Sequence, residues 1–136
     1  MKIVLGDYFG RVSRFDPPCD GVIANANELL FRVNNLLDKI QIAYPDTQDA
    51  RDWRVNSGWR SVKYNATIPG AAVNSKHVTG QAIDLADPDG VLDNILFNDT
   101  TLLVEASLWL EHPASTKGWT HWQSVPPKSG NRVFFP

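Results

Sequence analysis

Between Asn25 and Tyr44, apolar residues recur at three- and four-residue steps: Leu29, Leu30, Val33, Leu36, Leu37 and Ile40. That spacing winds one broad apolar stripe onto a helix. Asn25 or Asn27 suits the N-cap, and Pro45 stops the helix. A second helix is expected from Thr100 to about Glu111. There Leu102, Leu103, Ala106, Leu108, Trp109 and Leu110 leave little polar surface, which implies burial, and His112-Pro113 closes the run. Val91–Phe97 reads as a short helix.

The period changes from Gly80 onward. Read as a strand, Gly80, Ala82 and Asp84 share one face and Gln81, Ile83 and Leu85 the other. Ile83 and Leu85 suit a core. The opposite face carries little bulk apart from a carboxylate, as it would if a metal ion sat close against it. Asp87-Pro88-Asp89-Gly90 is a strong turn after the strand. Further strands are expected at Arg54–Asn56, Gly118–Ser124 and Arg132–Phe135. Residues 1–20 read as irregular, with a breaker at Asp16-Pro17-Pro18, and 46–52 as polar loop. Residues 62–74 read as loop or short helix, with a turn at Pro69-Gly70. Helices mixed with short strands that cannot all be parallel point to an α+β fold, a small antiparallel sheet packed with helices.

The bulk numbers narrow the setting. The 136 residues make a single domain, 1–136, without repeats or linkers, large enough to bury about two-thirds of its unfolded surface. A net charge of −2 gives no sign of a nucleic-acid or anionic-membrane partner. No apolar run approaches the roughly 20 residues that span a bilayer. Met1–Leu5 begins like a signal peptide, but Gly6-Asp7-Tyr8 ends the apolar run too soon, so synthesis in the cytoplasm without a signal peptide is expected. Cys19 is the single cysteine, which excludes an internal disulfide and a thiolate zinc cluster. Any metal site must use nitrogen and oxygen ligands.

The candidate chemistry follows from that constraint. His77 precedes the Gly80–Leu85 strand and can fold back towards Asp84, seven residues on. A third ligand is sought in Thr120-His121-Trp122-Gln123, where His121 and Gln123 share one strand face. Pairing that strand beside Ala82–Leu85 brings His121 within reach of His77 and Asp84. Two histidines and a carboxylate form a three-ligand zinc set whose open fourth position favours catalysis over a purely structural role. Spacing alone leaves the plainer reading open, in which the two histidines are unrelated and merely hydrogen-bonded or exposed.

The segments Ser57-Gly58-Trp59-Arg60-Ser61, Ser75-x-His77-x-x-Gly80-x-Ala82-x-Asp84 and Thr120-His121-Trp122 closely resemble the zinc D-alanyl-D-alanine carboxypeptidase family. That family includes phage L-alanyl-D-glutamate endopeptidases and shares its fold with the Hedgehog signalling domain. The resemblance runs from about Trp53 to Gln123, with the elements in the family's order. It implies that His77, Asp84 and His121 bind Zn2+, that Arg60 contacts a substrate carbonyl or carboxylate, and that Ser75 helps hold the peptide. It further implies a phage-encoded peptidoglycan hydrolase (an endolysin or virion enzyme in cell-wall degradation) acting on stem peptides, with zinc-bound water as nucleophile. Zinc lowers the pKa of bound water towards about 7 and polarises the scissile carbonyl. The Arg60 fork suits a terminal carboxylate or a developing oxyanion.

One position departs from the pattern. Many family members carry Asp or Glu three residues before the last histidine as general base, and here that residue is Gly118. Glu111 is the preferred substitute, ending the second helix just before the loop to His121. Glu105 is next, since Leu102, Leu108 and Trp109 could desolvate it and raise its pKa. The plainer reading of either glutamate is a solvated helix-face charge, and of Ser75 a loop or capping hydroxyl. His112 reads as a partner for a helix C-terminus, and Asp87, Asp89 and Asp93 as turn and cap residues before calcium ligands. The tryptophans read mostly as core, with Trp59 and Trp119 able to line a cleft. Two competing readings remain: a zinc-stabilised binding module without turnover, suggested by Gly118, and a small phage structural protein. The bond cut, carboxypeptidase or endopeptidase, and the oligomeric state are left open.

Overall fold

The computed structural model describes residues 3–11, 13, 16–47 and 53–136. The expected loop at 46–52 falls outside the described residues from 48 onward. The elements are α1 (Leu5–Phe9), α2 (Asp20–Ala43), β1 (Val55–Ser57), α3 (Val62–Thr67), β2 (Ala82–Asp87), α4 (Val91–Asn98), α5 (Thr101–Ala106), β3 (Trp109–Glu111), a 3-10 turn (Pro113–Ser115), β4 (Gly118–Gln123) and β5 (Val133–Phe134). The α+β architecture is as expected.

Helix α2 buries the stripe read from the sequence, with Leu29, Val33, Leu36, Leu37 and Ile40 all fully inaccessible. It begins earlier than expected, at Asp20 with Cys19 as N-cap. Ala26 extends the stripe by one more turn, and the Asp20 carboxylate lies in the first turn, where the helix dipole favours negative charge. Asn25 is therefore interior to the helix. Its amide donates to the Thr79 carbonyl at 2.9 Å and anchors the loop before β2. The N-terminal stretch also contains more structure than its irregular pattern suggested, because α1 buries Tyr8 and Phe9 against the core.

The sheet order is β1-β2-β4-β3-β5. All its pairs are antiparallel except β3–β5, which runs parallel with Leu110 beside Val133. The register decides which residues share a face. Ile83 pairs with Trp122, Leu85 with Thr120, and Leu110 with Trp122, so these side chains form the face buried beneath the helices. The buried Trp122 indole donates to the Thr120 hydroxyl at 2.7 Å, which satisfies its N–H in the core. Asp84 pairs with His121, Ala82 with Gln123, Trp109 with Gln123, and Ser57 with Asp84, which places them together on the opposite face. A register shift between Val55 and Ser57 lets β1 present Ser57 to that face.

The expected helix from Thr100 to Glu111 is instead two elements. Helix α5 stops at Ala106, where Ser107 takes a left-handed conformation (φ 56°) and caps it through its N–H. Beyond it the burial alternates: Leu108 and Leu110 are buried, while Trp109 and Glu111 are half-buried. That period of two is a strand's, and pairing with both β4 and β5 rewards it more than another helical turn would.

Gly80 also has a different role from the one expected. It precedes β2 and has φ +78°; a Cβ there would lie 2.8 Å from the Val22 carbonyl of α2. Its smallness serves close approach of the loop to that helix rather than a metal against the strand. Asp87 caps α4, its two carboxylate oxygens each accepting at 3.0 Å from the N–H groups of Leu92 and Asp93. Among the described residues, no helix is long and apolar enough to cross a membrane.

Candidate metal centre

The centre is assembled from one loop and three neighbouring strands. His77 sits in the loop between α3 and β2 and is 3% exposed. Three contacts from the Gly58–Arg60 segment hold that loop. The Gly58 carbonyl lies 2.8 Å from His77 Nδ1, the Trp59 indole donates to the Val78 carbonyl at 3.0 Å, and the Arg60 N–H donates to the His77 carbonyl at 3.2 Å. Gly58 can be only glycine: a Cβ there would stand 1.9 Å from the Tyr8 carbonyl oxygen, which itself accepts from the Trp59 N–H. Trp59 is buried and packs edge-on against Phe9, so it braces the loop rather than lining a cleft.

Asp84 lies at the focus. Its Oδ1 is 2.8 Å from His121 Nδ1, its Oδ2 is 3.3 Å from His77 Nε2, and the same Oδ2 is 3.6 Å from Arg60 Nη2. The two imidazole rings meet edge to face with centroids 5.3 Å apart. One ligand atom from each of His77, Asp84 and His121 lies within 4.8 Å of the other two, a group that can hold a metal ion. Nitrogen and oxygen donors of this kind suit a divalent transition metal, zinc among them. The donor set fits.

Electrostatics bind the cluster together even without an ion. Burial pushes the Asp84 carboxyl up, but hydrogen bonds from His121 and His77, and their charge, outweigh it and hold the group well below the ordinary carboxylate range. Burial opposes charging His121, yet its hydrogen bond to Asp84 and that carboxylate's charge raise its pKa overall. A bound cation would reverse the balance at His121 by competing for its lone pair.

Glu111 stands at the margin, its Oε2 3.7 Å from His121 Nδ1. It comes from β3, not from the end of a helix as expected, and strand pairing with β4 and β5 is what delivers it. Burial raises its carboxyl pKa, partly opposed by the charge on His121. Glu105 does not approach the centre: it is exposed on α5 and pairs with Lys39 at 2.9 Å, so the expected desolvation is absent. Gly118 opens β4 opposite Asp87, at the far end of the strand pair from Gln123.

Arg60 is tethered beside Asp84. Its Nε donates to the Ser57 hydroxyl at 2.9 Å and its Nη1 to the Asn65 side-chain oxygen at 3.5 Å. Ser75 accepts from the His77 N–H at 3.2 Å, as a turn hydroxyl would. His112 serves no helix C-terminus. Its Nδ1 accepts from the Ala114 N–H at 3.0 Å, capping the 3-10 turn, and its ring stacks on Phe135 with centroids 4.2 Å apart.

One contributor escaped the sequence reading, and one was placed by it without a role. The Gly58 carbonyl carries no side-chain signal. Gln123 was placed on the face of His121 by strand alternation, and its Oε1 lies 3.1 Å from His121 Nε2.

Residues 20–99 match the family model for peptidase M15. No curated protein and no solved structure matches the chain. The matched segment includes Arg60, His77 and Asp84, and the β2–β4 register brings His121 to them from outside it. With more than half its length in that match, and a His-His-Asp group that can hold a metal, the chain belongs to the peptidase M15 family of metallopeptidases.

Proposed function

We propose that the protein is a zinc metallopeptidase that hydrolyses peptidoglycan stem peptides, as a D,D-carboxypeptidase or an L-alanyl-D-glutamate endopeptidase. The observation that carries the reading is the convergence of His77, Asp84 and His121 with a half-buried glutamate, Glu111, 3.7 Å from His121. His77 Nε2, His121 Nδ1 and an Asp84 oxygen would hold zinc. When bound there, zinc supplies a Lewis acid that activates water at neutral pH and polarises a peptide carbonyl.

Glu111 is assigned as the general base. Burial lifts its proton affinity, so that Oε2 can take a proton from the attacking water and return it to the departing amine. Arg60 is assigned to the substrate. Three tethers, to Ser57, Asn65 and Asp84, fix its guanidinium, and a preset fork orients a carbonyl or terminal carboxylate with little ordering of its own. Ser75 holds the His77 turn, and its hydroxyl is assigned a further contact with the peptide. The choice of wall peptide and a phage-type lysis or virion setting rest on the resemblance of Ser57–Ser61, Ser75–Asp84 and Thr120–Trp122.

The test is incubation of zinc-loaded protein with purified peptidoglycan, followed by mass spectrometry of the muropeptides. Released D-alanine identifies a carboxypeptidase, and new D-glutamate amino termini identify the endopeptidase. Zinc bound at one per chain, with no product from any wall type, would sink the enzyme reading. That outcome would favour a non-catalytic binding module, the alternative suggested by Gly118 in place of the usual acid.

A further inference from the structure

We infer that Arg132, stacked on Trp109, binds a carboxylate of the substrate peptide on the side of the metal centre away from Arg60. The inference rests on the peptidase reading above and deepens it by naming an acidic peptide as the substrate.

The sheet places the pair. Trp109 lies opposite Gln123, and Glu111 lies beside Phe134. Alternation then sets Arg132 and Phe134 on the face that carries Trp109, Glu111, His121 and Asp84. Two rows cross that face. One holds Asp84, His121, Glu111 and Phe134, whose ring meets His121 edge-on with centroids 6.2 Å apart. The other holds Gln123, Trp109 and Arg132. Gln123 is buried, whereas Trp109 and Arg132 are half-buried, so the second row opens to solvent at the pair.

The Arg132 guanidinium lies over the Trp109 ring, its Cζ 4.2 Å from the centroid, and its Nη1 donates to the Leu108 carbonyl at 3.0 Å. These contacts hold the fork in place and occupy one of its nitrogens. Nε and Nη2 have no acceptor, and the charge has no carboxylate partner, among the described residues. Arg60 differs: it donates to Ser57 and Asn65 and pairs with Asp84. An oriented guanidinium with two idle nitrogens, beside the catalytic row, is built to receive a planar anion.

The spacing suits a single peptide. β2 and β3 stand two strand spacings apart, and Trp109 is two residues from Glu111, so the pair lies about 12 Å from the Asp84–Arg60 contact. An extended chain covers that distance in about three to four residues, with His121 and Glu111 lying between its ends. In a stem peptide the glutamyl residue carries a carboxylate apart from the chain terminus. That is the group assigned to Arg132.

The experiment uses zinc-loaded protein and two synthetic stem peptides that differ only in whether the glutamyl α-carboxylate is free or amidated. Product formation reads KM and kcat, and calorimetry reads Kd where the peptides stay uncut. Wild type is expected to favour the free acid about tenfold or more, through KM rather than kcat. Arg132→Gln should treat both peptides as wild type treats the amide. Arg132→Lys, which keeps the charge without the fork, should retain part of the preference. No difference between acid and amide on the wild-type protein overturns the inference without any variant having to fold. So does an Arg132→Gln protein in which the preference persists; if both peptides are weakened equally, Arg132 is only a brace for Trp109. A preference for the acid in binding, with neither peptide cut, would sink the enzyme reading and leave this one standing.

Discussion

Asp84 and His121 lie directly opposite one another in the β2–β4 pair, with Oδ1 2.8 Å from Nδ1, and 36 residues separate them along the chain. The bond opposes two groups whose titrations both affect stability. Asp84 is depressed, so its contribution is present above the unfolded carboxylate value of 3.8 and is lost as pH falls through the lower folded value. His121 is raised, so its contribution is present below 6.5 and is lost as pH rises through the higher folded value. The metal-free protein is therefore expected to lose melting temperature both in strong acid and on the alkaline side of neutrality. Scanning calorimetry across pH with a chelator present checks this, and a flat profile from pH 6 to 9 would contradict the His121 assignment.

Zinc removal is expected to lower the melting temperature without unfolding the chain. The core, from Leu29 to Ile40 on α2 and Ile83, Leu85 and Trp122 on the sheet, is closed without the centre. Linkage sets the scale: ligand at a thousandfold excess over Kd stabilises by about 4 kcal/mol. Circular dichroism with and without chelator reads it, and loss of the helical signal on chelation would make the ion structural.

Glu111→Gln is expected to separate activity from stability. Burial disfavours the charged carboxylate, so a neutral amide should leave the metal-free fold at least as stable at neutral pH. Hydrolysis should fall about 10²–10⁴-fold if Glu111 moves the proton. Equal loss of zinc binding would instead make it a ligand, and unchanged turnover would remove it from the mechanism.

Gly58→Ala should damage two things at once. The added methyl would stand 1.9 Å from the Tyr8 carbonyl oxygen, so β1 and α1 must part and the Gly58 carbonyl must leave His77 Nδ1. A destabilisation above about 2 kcal/mol in urea, with weakened zinc binding in whatever remains folded, is the expected outcome.

Ser107→Gly should do the opposite. A left-handed conformation costs an L-residue about 1–2 kcal/mol, and glycine recovers most of that against its own entropy cost of about 0.5–1 kcal/mol. A small rise in melting temperature with unchanged zinc affinity is expected.

Local pattern was enough for α2 and for β2, because each carries one unambiguous period. Strand alternation also put Asp84 on one face of β2 and His121 with Gln123 on one face of β4, but whether those faces meet was left open by spacing alone and is decided by the β2–β4 register. Local pattern misjudged the residues from 107 to 111. Leu108-Trp109-Leu110 is apolar throughout and fits a helix or a strand equally well, so only the left-handed turn at Ser107 and the partners on either side of β3 decide between them. The place of Glu111 beside His121 follows from that pairing, as do the withdrawal of Glu105 to an exposed ion pair and the part played by the Gly58 carbonyl. Side-chain type and spacing determine which face a residue takes within its own element. Which faces meet is settled by register between distant segments, and register is a property of the packed chain as a whole.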